Sequence, residues 1–331
     1  MNLAPQQFLS GEPLEGVFQL PGRLSLYHGG SLEQPRLAWR LAGPADAPVV
    51  AALGGISAHR CVFDAASPRD GWWREVAGPG LALDAGRVRV LGIDYLGGSG
   101  DSTGPTAGGM FPSLSTYDQA HGLSQLLLHL KIPRLRAIAG ASYGAMVALA
   151  FGERYPAQVE HLIIISGADR AHPMATAWRS VQRRLLRFAL AGGRAAEGLE
   201  LARALAMATY RSPAEFEQRF SGSPLQIDGR FVFPVEDYLF ARGRDYAARY
   251  LPESFLCLSE SIDLHRVDAK RVPTPCSIVA VREDQLVPIA DMRALAGRLP
   301  HAQLHELSSL CGHDAFLKEA AQLQPVFQIL Y

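Results

Sequence analysis

The stretch LRAIAGASYGAMVALAFG, residues 135–152, decides the fold that the sequence predicts. It begins with a mostly apolar run typical of a buried strand and ends with a run typical of an apolar helix. Between the two runs, residues 140–144 read Gly-Ala-Ser-Tyr-Gly, which is the Gly-x-Ser-x-Gly pattern of a nucleophile elbow. The small residues allow a tight, strained turn that places the hydroxyl of Ser142 at the carboxyl edge of a sheet, beside a helix N-terminus.

Apolar runs on both sides of this stretch extend the alternation of strands and helices. Such alternation is typical of a parallel sheet with right-handed crossovers. A shorter antiparallel start precedes it, because partly alternating runs are separated there by Gly and Pro. The runs that predict strands are GVFQL (16–20), RLSLYHG (23–29), PRLAWRLAG (35–43), VVAAL (49–53), RVRVLGI (87–93), VEHLIIISG (159–167), PCSIVAVRE (275–283) and AQLHELSS (302–309).

The strand pattern largely disappears between residues 170 and 271, where Ala, Leu, Arg and Glu favour helices. We therefore predict an α/β-hydrolase fold, which is a mostly parallel sheet flanked by helices with an inserted helical lid. The predicted core is residues 1–169 and 272–331, and the predicted lid is residues 170–271.

A serine hydroxyl needs a base to take its proton, and the base needs an acid that orients it. In this fold the order along the chain is Ser, acid, His. Asp284 follows the strand CSIVAVR, and His313 lies in the loop after AQLHELSS. These positions predict Ser142, His313 and Asp284 as nucleophile, base and orienting acid.

Other residues compete for the last two roles. Glu283 is the weaker acid, because adjacent residues at a strand end point in opposite directions. Six other histidines are rivals for the base, and we interpret them as surface or core residues because four precede the acid and two sit before or within the final strand: His59, His121, His161, His172, His301 and His305.

Acyl chemistry also needs N–H donors aimed at the developing oxyanion. One predicted donor is the backbone N–H of Tyr143, immediately after the nucleophile. The other comes from the loop after VVAAL, with Leu53 or Gly54 as the candidate.

The composition excludes several classes of partner. Lys+Arg and Asp+Glu are equal at 32 each, so no global field attracts nucleic acid or a membrane surface. No apolar run is long enough to span a bilayer, and the first 16 residues lack the basic start and apolar core of a secretory signal. The four cysteines are far apart, which disfavours a metal site or disulfide framework and favours a cytoplasmic protein.

Over nearly its whole length the sequence resembles the homoserine O-acyltransferases of the α/β-hydrolase superfamily. The loop after residue 100 and the segment around His313 are specific to that family rather than generic to the fold. The segments that carry the resemblance are Ala52-Leu53-Gly54-Gly55, Gly71-Trp72-Trp73, Gly78-Pro79-Gly80, Leu96-Gly97-Gly98, Asp101-Ser102-Thr103-Gly104-Pro105, the elbow, Gln182-Arg183, Gly198-Leu199 with Ala202-Arg203, Val235-Glu236 with Tyr238, and Gly312-His313-Asp314-Ala315-Phe316-Leu317.

The resemblance implies transfer of an acyl group from a coenzyme A thioester to the hydroxyl of L-homoserine, by a ping-pong route through acyl-Ser142, in methionine biosynthesis. It implies acyl-CoA as co-substrate with no bound cofactor, a homodimer, and Arg203 and Asp314 in the acceptor pocket. A cation and an anion suit the carboxylate and ammonium of an amino acid.

Some positions depart from the family pattern. The usual elbow Gly-Gly-Ser-Met-Gly-Gly reads Gly-Ala-Ser-Tyr-Gly-Ala, Ser99 replaces a cysteine, and residues 187–198 are shorter than usual and lack an Asp-Pro-x-Trp motif. Acetyl-CoA is slightly preferred over succinyl-CoA as donor, because no extra cation for a succinyl carboxylate is evident. The alternatives are a serine esterase or thioesterase, or an O-acyltransferase that acts on serine or another small hydroxyl acceptor. A non-catalytic binding module is disfavoured because all three triad positions are filled.

Overall fold

The structure is a computed structural model that describes residues 12–67 and 70–331. The first eleven residues, which form most of the stretch used to argue against a secretory signal, lie outside the described residues. Among the helices that are described, none combines the length and the apolarity needed to cross a membrane.

The described residues form fourteen strands, eight of which make one sheet. In chain order the strands are β1 (Leu14–Gln19), β2 (Arg23–Ser25), β3 (Ser31–Glu33), β4 (Arg36–Ala42), β5 (Val49–Leu53), β6 (Ala77–Gly78), β7 (Leu83–Asp84), β8 (Arg89–Ile93), β9 (Ala137–Ala141), β10 (Leu162–Ile165), β11 (Leu225–Ile227), β12 (Arg230–Val232), β13 (Cys276–Val281) and β14 (Ala302–Leu307). The order across the large sheet is β1-β4-β8-β5-β9-β10-β13-β14.

The pairing of these strands confirms the predicted mostly parallel sheet. β1–β4 and β4–β8 are antiparallel, and every pair from β8 to β14 is parallel. β9, β10 and β13 are buried at every residue, as expected for central strands covered on both faces. The carboxyl ends of β9, β13 and β14 therefore meet at one edge of the sheet.

Ten helices accompany the sheet in the described part of the chain. They are α1 (Thr116–His129), α2 (Tyr143–Arg154), α3 (Pro173–Ala191), α4 (Ala195–Tyr210), α5 (Pro213–Phe220), α6 (Pro234–Ala247), α7 (Pro252–Leu264), α8 (Ile289–Arg298), α9 (Ala315–Lys318) and α10 (Ala320–Phe327). Five of them, α3 to α7, lie between β10 and β13. We call residues 170–271 the lid segment; its status as a separate unit with those boundaries stays a prediction.

The lid segment also contains the hairpin β11–β12, which the sequence pattern did not indicate. The two strands are joined by Asp228-Gly229, and both residues have positive φ, 49° and 79°. This is the conformation that Asp-Gly adopts in tight hairpin turns. The turn residues were a usable signal, but the flanking strands are three residues each and too short to show alternation.

Two apolar clusters cover the two faces of the sheet. Alternate residues of β5 belong to different clusters, Ala51 and Leu53 to one and Val50 and Ala52 to the other, as side chains alternate along a strand. The first cluster also takes in buried side chains of α3 and α4, such as Leu186 and Leu199, so the lid segment packs onto the core through apolar contact.

Candidate active site

The backbone at Ser142 has the strained geometry predicted for the elbow. Ser142 has φ 55° and ψ −118°, a region that residues other than glycine rarely adopt. A Cβ on Gly144 would lie 2.0 Å from the carbonyl oxygen of Leu53, and a Cβ on Gly140 would lie 2.4 Å from that of Gly144. Only glycine therefore fits at these positions, and the close packing holds Ser142 at the N-terminus of α2.

The three residues predicted for the triad lie in hydrogen-bond contact. His313 Nε2 is 2.8 Å from Ser142 Oγ, and His313 Nδ1 is 2.7 Å from Asp284 Oδ2. The other carboxylate oxygen of Asp284 accepts from the backbone N–H groups of Leu286 at 2.8 Å and Val287 at 3.0 Å. Because an ionised carboxylate only accepts, Nδ1 donates to it and Nε2 is left to accept the serine proton.

Two effects oppose each other at His313. Burial lowers the pKa of the imidazole, but the charge of Asp284 and the hydrogen bond to it outweigh burial, so the pKa lies above its ordinary value. The protonated imidazole that forms when serine loses its proton is stabilised in the same way. The arrangement can therefore activate the hydroxyl of Ser142 as a nucleophile.

The alternative residues occupy other environments. Glu283 accepts from the backbone N–H of Ser309 at 2.8 Å and from the hydroxyl of Ser308, whereas the carboxylate that contacts His313 is that of Asp284. Four of the six competing histidines make local contacts: His59 and His172 accept from nearby backbone N–H groups, His121 contacts Tyr155, and His161 contacts Ser277. His301 lies just before β14 and His305 within it.

The predicted oxyanion donors surround the elbow. Tyr143 is the first residue of α2, where backbone N–H groups have no acceptor within the helix. Leu53 ends β5 against Gly144, and the carbonyl of Gly54 accepts from the N–H of Gly144 at 2.9 Å and from the hydroxyl of Tyr95 at 2.8 Å. The donor roles of Tyr143 and of Leu53 or Gly54 stay predictions.

Ser142 and His313 open into a cavity whose opposite side is formed by the lid segment. Arg203, on α4, lines this cavity and is partly buried. Its guanidinium lies 4.6 Å from the ring centre of Tyr246 and 5.1 Å from that of Tyr210, whose hydroxyl accepts from Nη1 at 3.3 Å. Within residues 12–67 and 70–331, no carboxylate lies at ion-pair distance from Arg203.

The charge on Arg203 is maintained despite its surroundings. Burial lowers its pKa, but Tyr210, Tyr246 and Asp314 outweigh that effect and raise it. Aromatic rings attract a cation without neutralising it. The guanidinium therefore keeps its capacity to bind an anion from solution.

Asp314, the other residue assigned to the acceptor pocket, lines the same cavity but already has a partner. Its carboxylate lies 3.2 Å from Arg211 Nε, at an angle that makes the contact electrostatic rather than a hydrogen bond. Burial raises the pKa of Asp314, opposed by Arg211, His313 and Arg203. Arg211 also contacts Glu215 at 3.3 Å, so Arg211 links Asp314 to a second carboxylate in the lid segment.

The β10–α3 loop and α3 provide a wall of the cavity that the sequence did not predict. Ser166, Arg170 and Arg179 all line the cavity. The one available signal was that Ser166 follows a central strand directly, as Ser142 does. The two arginines carried no motif, and only the packing of α3 beside the sheet edge brings them to the site.

The chain has an α/β-hydrolase fold, and comparison with known proteins defines it further. The family described as alpha/beta hydrolase fold matches residues 63–320. The sequence is 45% identical to a homoserine O-succinyltransferase of Xanthomonas campestris pv. campestris over 94% of this chain and 82% of that protein. It is 33% identical to a serine O-succinyltransferase of Litchfieldella anticariensis over 93% and 95% of the two chains.

A solved structure agrees with these matches at the level of fold. The crystal structure of a homoserine O-acetyltransferase from Bacillus anthracis superposes with a TM-score of 0.86 at 18% identity, over 97% of this chain and 98% of that chain. The extent and level of the sequence identities establish that the chain belongs to the homoserine O-acyltransferase family of α/β hydrolases.

Proposed function

We propose that this protein is an acyl-CoA-dependent homoserine O-acyltransferase that works through an acyl-Ser142 intermediate. The observation that carries the proposal is the continuous Ser142–His313–Asp284 hydrogen-bond chain facing a cavity in which Arg203 has no anionic partner among the described residues. The names of the 45% and 33% identical relatives support an O-acyltransferase acting on an amino-acid hydroxyl.

The first half-reaction uses the triad as a base. His313 Nε2 takes the proton of Ser142 as Oγ attacks the thioester carbonyl, and the oxyanion is stabilised by the N–H groups of Tyr143 and Leu53. The carbon–sulfur bond then breaks, His313 returns the proton to sulfur, and CoA leaves as the free thiol. Ser142 holds the acyl group as an ester.

The second half-reaction uses the same groups in reverse. His313 takes the proton of the acceptor hydroxyl, that oxygen attacks the acyl carbon, and the proton returns to Oγ of Ser142 as the ester bond breaks. Arg203 binds the acceptor carboxylate. Asp314 contacts the ammonium while remaining paired with Arg211, so the acceptor enters a network that is already partly neutralised.

The acceptor is L-homoserine, and L-serine is the second candidate because one relative is named a serine O-succinyltransferase. The preference for acetyl-CoA that the sequence suggested rested on the lack of a cation for a succinyl carboxylate. The cavity does contain arginines besides Arg203, namely Arg170 and Arg179. Both donors therefore belong in the test.

Further parts of the proposal rest on the family resemblance and on the composition of the sequence. They are a place in methionine biosynthesis, a cytoplasmic location, a homodimer, and action on small molecules rather than on nucleic acid or membranes. No bound cofactor or metal is needed for the steps described, since acyl-CoA supplies the acyl group as a substrate.

Thiol release tests the function directly. The protein is mixed with acetyl-CoA or succinyl-CoA, alone and with L-homoserine or L-serine, and free CoA and the O-acyl product are measured. We expect a single burst of thiol without acceptor, an acyl adduct on Ser142 by mass spectrometry, and sustained release with homoserine. Fast sustained release that no acceptor alters would instead identify a thioesterase.

The Ser142→Ala variant serves as the matching control on mechanism. It should remove both the adduct and the burst, with a loss of about 10⁴-fold or more in rate. The control is Ser277→Ala, which changes a buried serine on β13 whose hydroxyl contacts His161, and it should retain activity. Near wild-type turnover by Ser142→Ala would refute the acyl-serine route.

A further inference from the structure

Ser166 stands beside the nucleophile in the sheet. It follows β10 directly, as Ser142 follows β9, and the register of these parallel strands pairs Ile165 with Ala141. The backbone N–H of Ser142 donates to the carbonyl of Ile165 at 2.9 Å, which fixes the arrangement. Neighbouring strands are about 5 Å apart, so the backbones of the two serines are separated by about that distance.

The hydroxyl of Ser166 is buried and has no hydrogen-bond partner among the described residues. Ser166 is 1% exposed and lines the cavity, yet its Oγ makes no hydrogen bond to any group in the described residues. Its φ of 50° is in the left-handed region. A buried hydroxyl without a partner and a strained backbone are both costly, and both are typical of positions that a ligand completes.

The same wall of the cavity has an excess of positive charge. Arg170 is exposed, lines the cavity and has no carboxylate at ion-pair distance within the described ranges. Arg179 lines it too, but shares the single carboxylate of Asp263 with Arg183, at 2.6 Å each. Two guanidiniums with one carboxylate retain one positive charge. Asp291 also lines the cavity, and even if its charge is counted with these groups, one positive charge remains.

We propose that Ser166 and Arg170 bind the distal carboxylate of a dicarboxylic acyl group carried on Ser142, of which succinyl is the four-carbon case. This inference rests on the proposed function and specifies its donor class. Arg203 and Asp314 are the pair proposed to bind the zwitterionic acceptor, so the charge of Arg170 and Arg179 is left for a different anion. A succinyl group supplies one anion there, whereas an acetyl group leaves the wall unpaired.

Comparison of two donors tests the proposal. We expect Arg170→Ala to lower kcat/KM for succinyl-CoA by about 10- to 100-fold, because a charged hydrogen bond is lost. The value of kcat/KM for acetyl-CoA should change by less than about threefold. Ser166→Ala and Ser166→Gly should each lower the succinyl value by about tenfold. Glycine relieves the positive φ and alanine does not, so a shared loss identifies the hydroxyl rather than backbone strain.

Short thioesters separate the acyl carboxylate from the phosphates of CoA as the anion that Arg170 binds. The same variants are assayed with the succinyl and acetyl thioesters of N-acetylcysteamine, which carry no phosphate. If the loss stays specific to succinyl on the short carrier, the proposal holds. If Arg170→Ala lowers kcat/KM for both succinyl-CoA and acetyl-CoA but for neither short thioester, Arg170 binds a phosphate of CoA and the proposal fails.

Thr209→Val is the matched control, because Thr209 also lines the cavity but its hydroxyl is bonded to the carbonyl of Ala206 at 2.8 Å. It should leave the succinyl-to-acetyl ratio unchanged. Equal losses for both donors in Ser166→Ala and Ser166→Gly would overturn the proposal. If the wild-type protein acylates homoserine only from acetyl-CoA, the proposal about the succinyl site fails and the proposed function stands. If no donor and acceptor react, the proposed function fails as well.

Discussion

The two sides of the cavity differ in how their polar groups are satisfied. On the sheet side, Asp284 has both oxygens engaged and His313 has both ring nitrogens in hydrogen-bond contact. On the side formed by the lid segment, Arg203 is held by aromatic rings and has no carboxylate at ion-pair distance among the described residues.

The difference follows from what each group has to do. Groups that move a proton must be held in one geometry before substrate arrives, so the protein itself provides their partners. Groups that bind substrate must have hydrogen-bonding or charge capacity to spare. A substitution on the sheet side should therefore change the rate of chemistry, and one on the other side should change which molecule binds and how tightly.

The largest expected effect tests the sheet side. Asp284→Asn should lower kcat by about 10³- to 10⁴-fold, because the amide no longer holds the His313 tautomer that accepts a proton at Nε2. The base must be neutral to act, so wild-type kcat/KM should fall as the pH drops below the raised pKa of His313. Without the Asp284 charge that pKa falls, and the acid limb should move to lower pH. Steady-state kinetics from pH 5 to 9 measure the loss in kcat and the position of the acid limb.

Glu283→Gln is the control for this prediction, since Glu283 is the adjacent carboxylate and contacts Ser309 instead of His313. Its kcat should stay within about tenfold of the wild-type value, with the acid limb in its original place. A loss as large as that of Asp284→Asn would mean that either carboxylate can orient the base, and the distinction between the two acids would be lost.

A smaller effect, on binding rather than on rate, is expected from the lid side. Arg203→Ala should raise the KM for the acceptor by about 10- to 100-fold, since a carboxylate loses a charged partner in a partly desolvated site. The thiol burst measured without acceptor should keep its rate, because Arg203 takes no part in acylating Ser142. Arg203→Lys should recover only part of the affinity, as an ammonium lacks the planar fork.

The lid arginine Arg242 provides the control. It is exposed and pairs with Asp245 at 3.8 Å on the surface of α6, so Arg242→Ala should leave both half-reactions unchanged. If Arg203→Ala slowed the burst and left the acceptor KM alone, Arg203 would contact the donor, and the division between the two sides of the cavity would be wrong.

The same division explains how much the sequence could predict. The elbow, the acid and the base each follow a strand, and the alternation of strands and helices in the sequence is enough to place them at one edge of the sheet. The parallel sheet and the contact among Ser142, Asp284 and His313 follow from local patterns and their order in the chain. The fold and the chemical side of the site were therefore accessible.

The other side of the cavity was accessible only in part. Arg203 was found through family resemblance, because nothing in the pattern of α4 separates it from a surface arginine. Arg211 and Arg170 were not found, since their positions depend on how α3 and α4 pack over the sheet, and helix packing angles are not encoded in local periodicity. Ser166 was missed although it follows β10 directly, because no motif marks it as Gly-x-Ser-x-Gly marks Ser142. The pairing of Asp314 with Arg211 was equally invisible.

The smallest expected effect concerns the stability of the junction between the lid segment and the core. His265 is buried at the end of α7, where Nδ1 contacts the hydroxyl of Thr116 at 2.7 Å and Nε2 contacts the carbonyl of Ala168 at 3.1 Å. A carbonyl accepts, so Nε2 donates and Nδ1 accepts from Thr116 in the neutral ring. These bonds tie the end of the lid segment to the first helix of the core and to the loop after β10.

Burial lowers the pKa of His265 from 6.5 to about 3. Because the folded pKa lies below the unfolded one, the contribution to stability is present above pH 6.5 and is lost as the pH falls toward 3. From pH 7 to pH 5 that loss is about 2 kcal/mol in the free energy of unfolding. Urea unfolding at the two pH values should find a shallower pH dependence for His265→Gln than for the wild type, by about that amount.

Thr116→Val separates protonation from the mere loss of a contact. It removes the hydroxyl that Nδ1 contacts but leaves His265 buried and able to titrate, so it should lower stability at both pH values and keep most of the wild-type pH dependence. If His265→Gln and the wild type lost the same free energy between pH 7 and 5, protonation of His265 would not govern the junction. The loss of stability at low pH would then have a different origin.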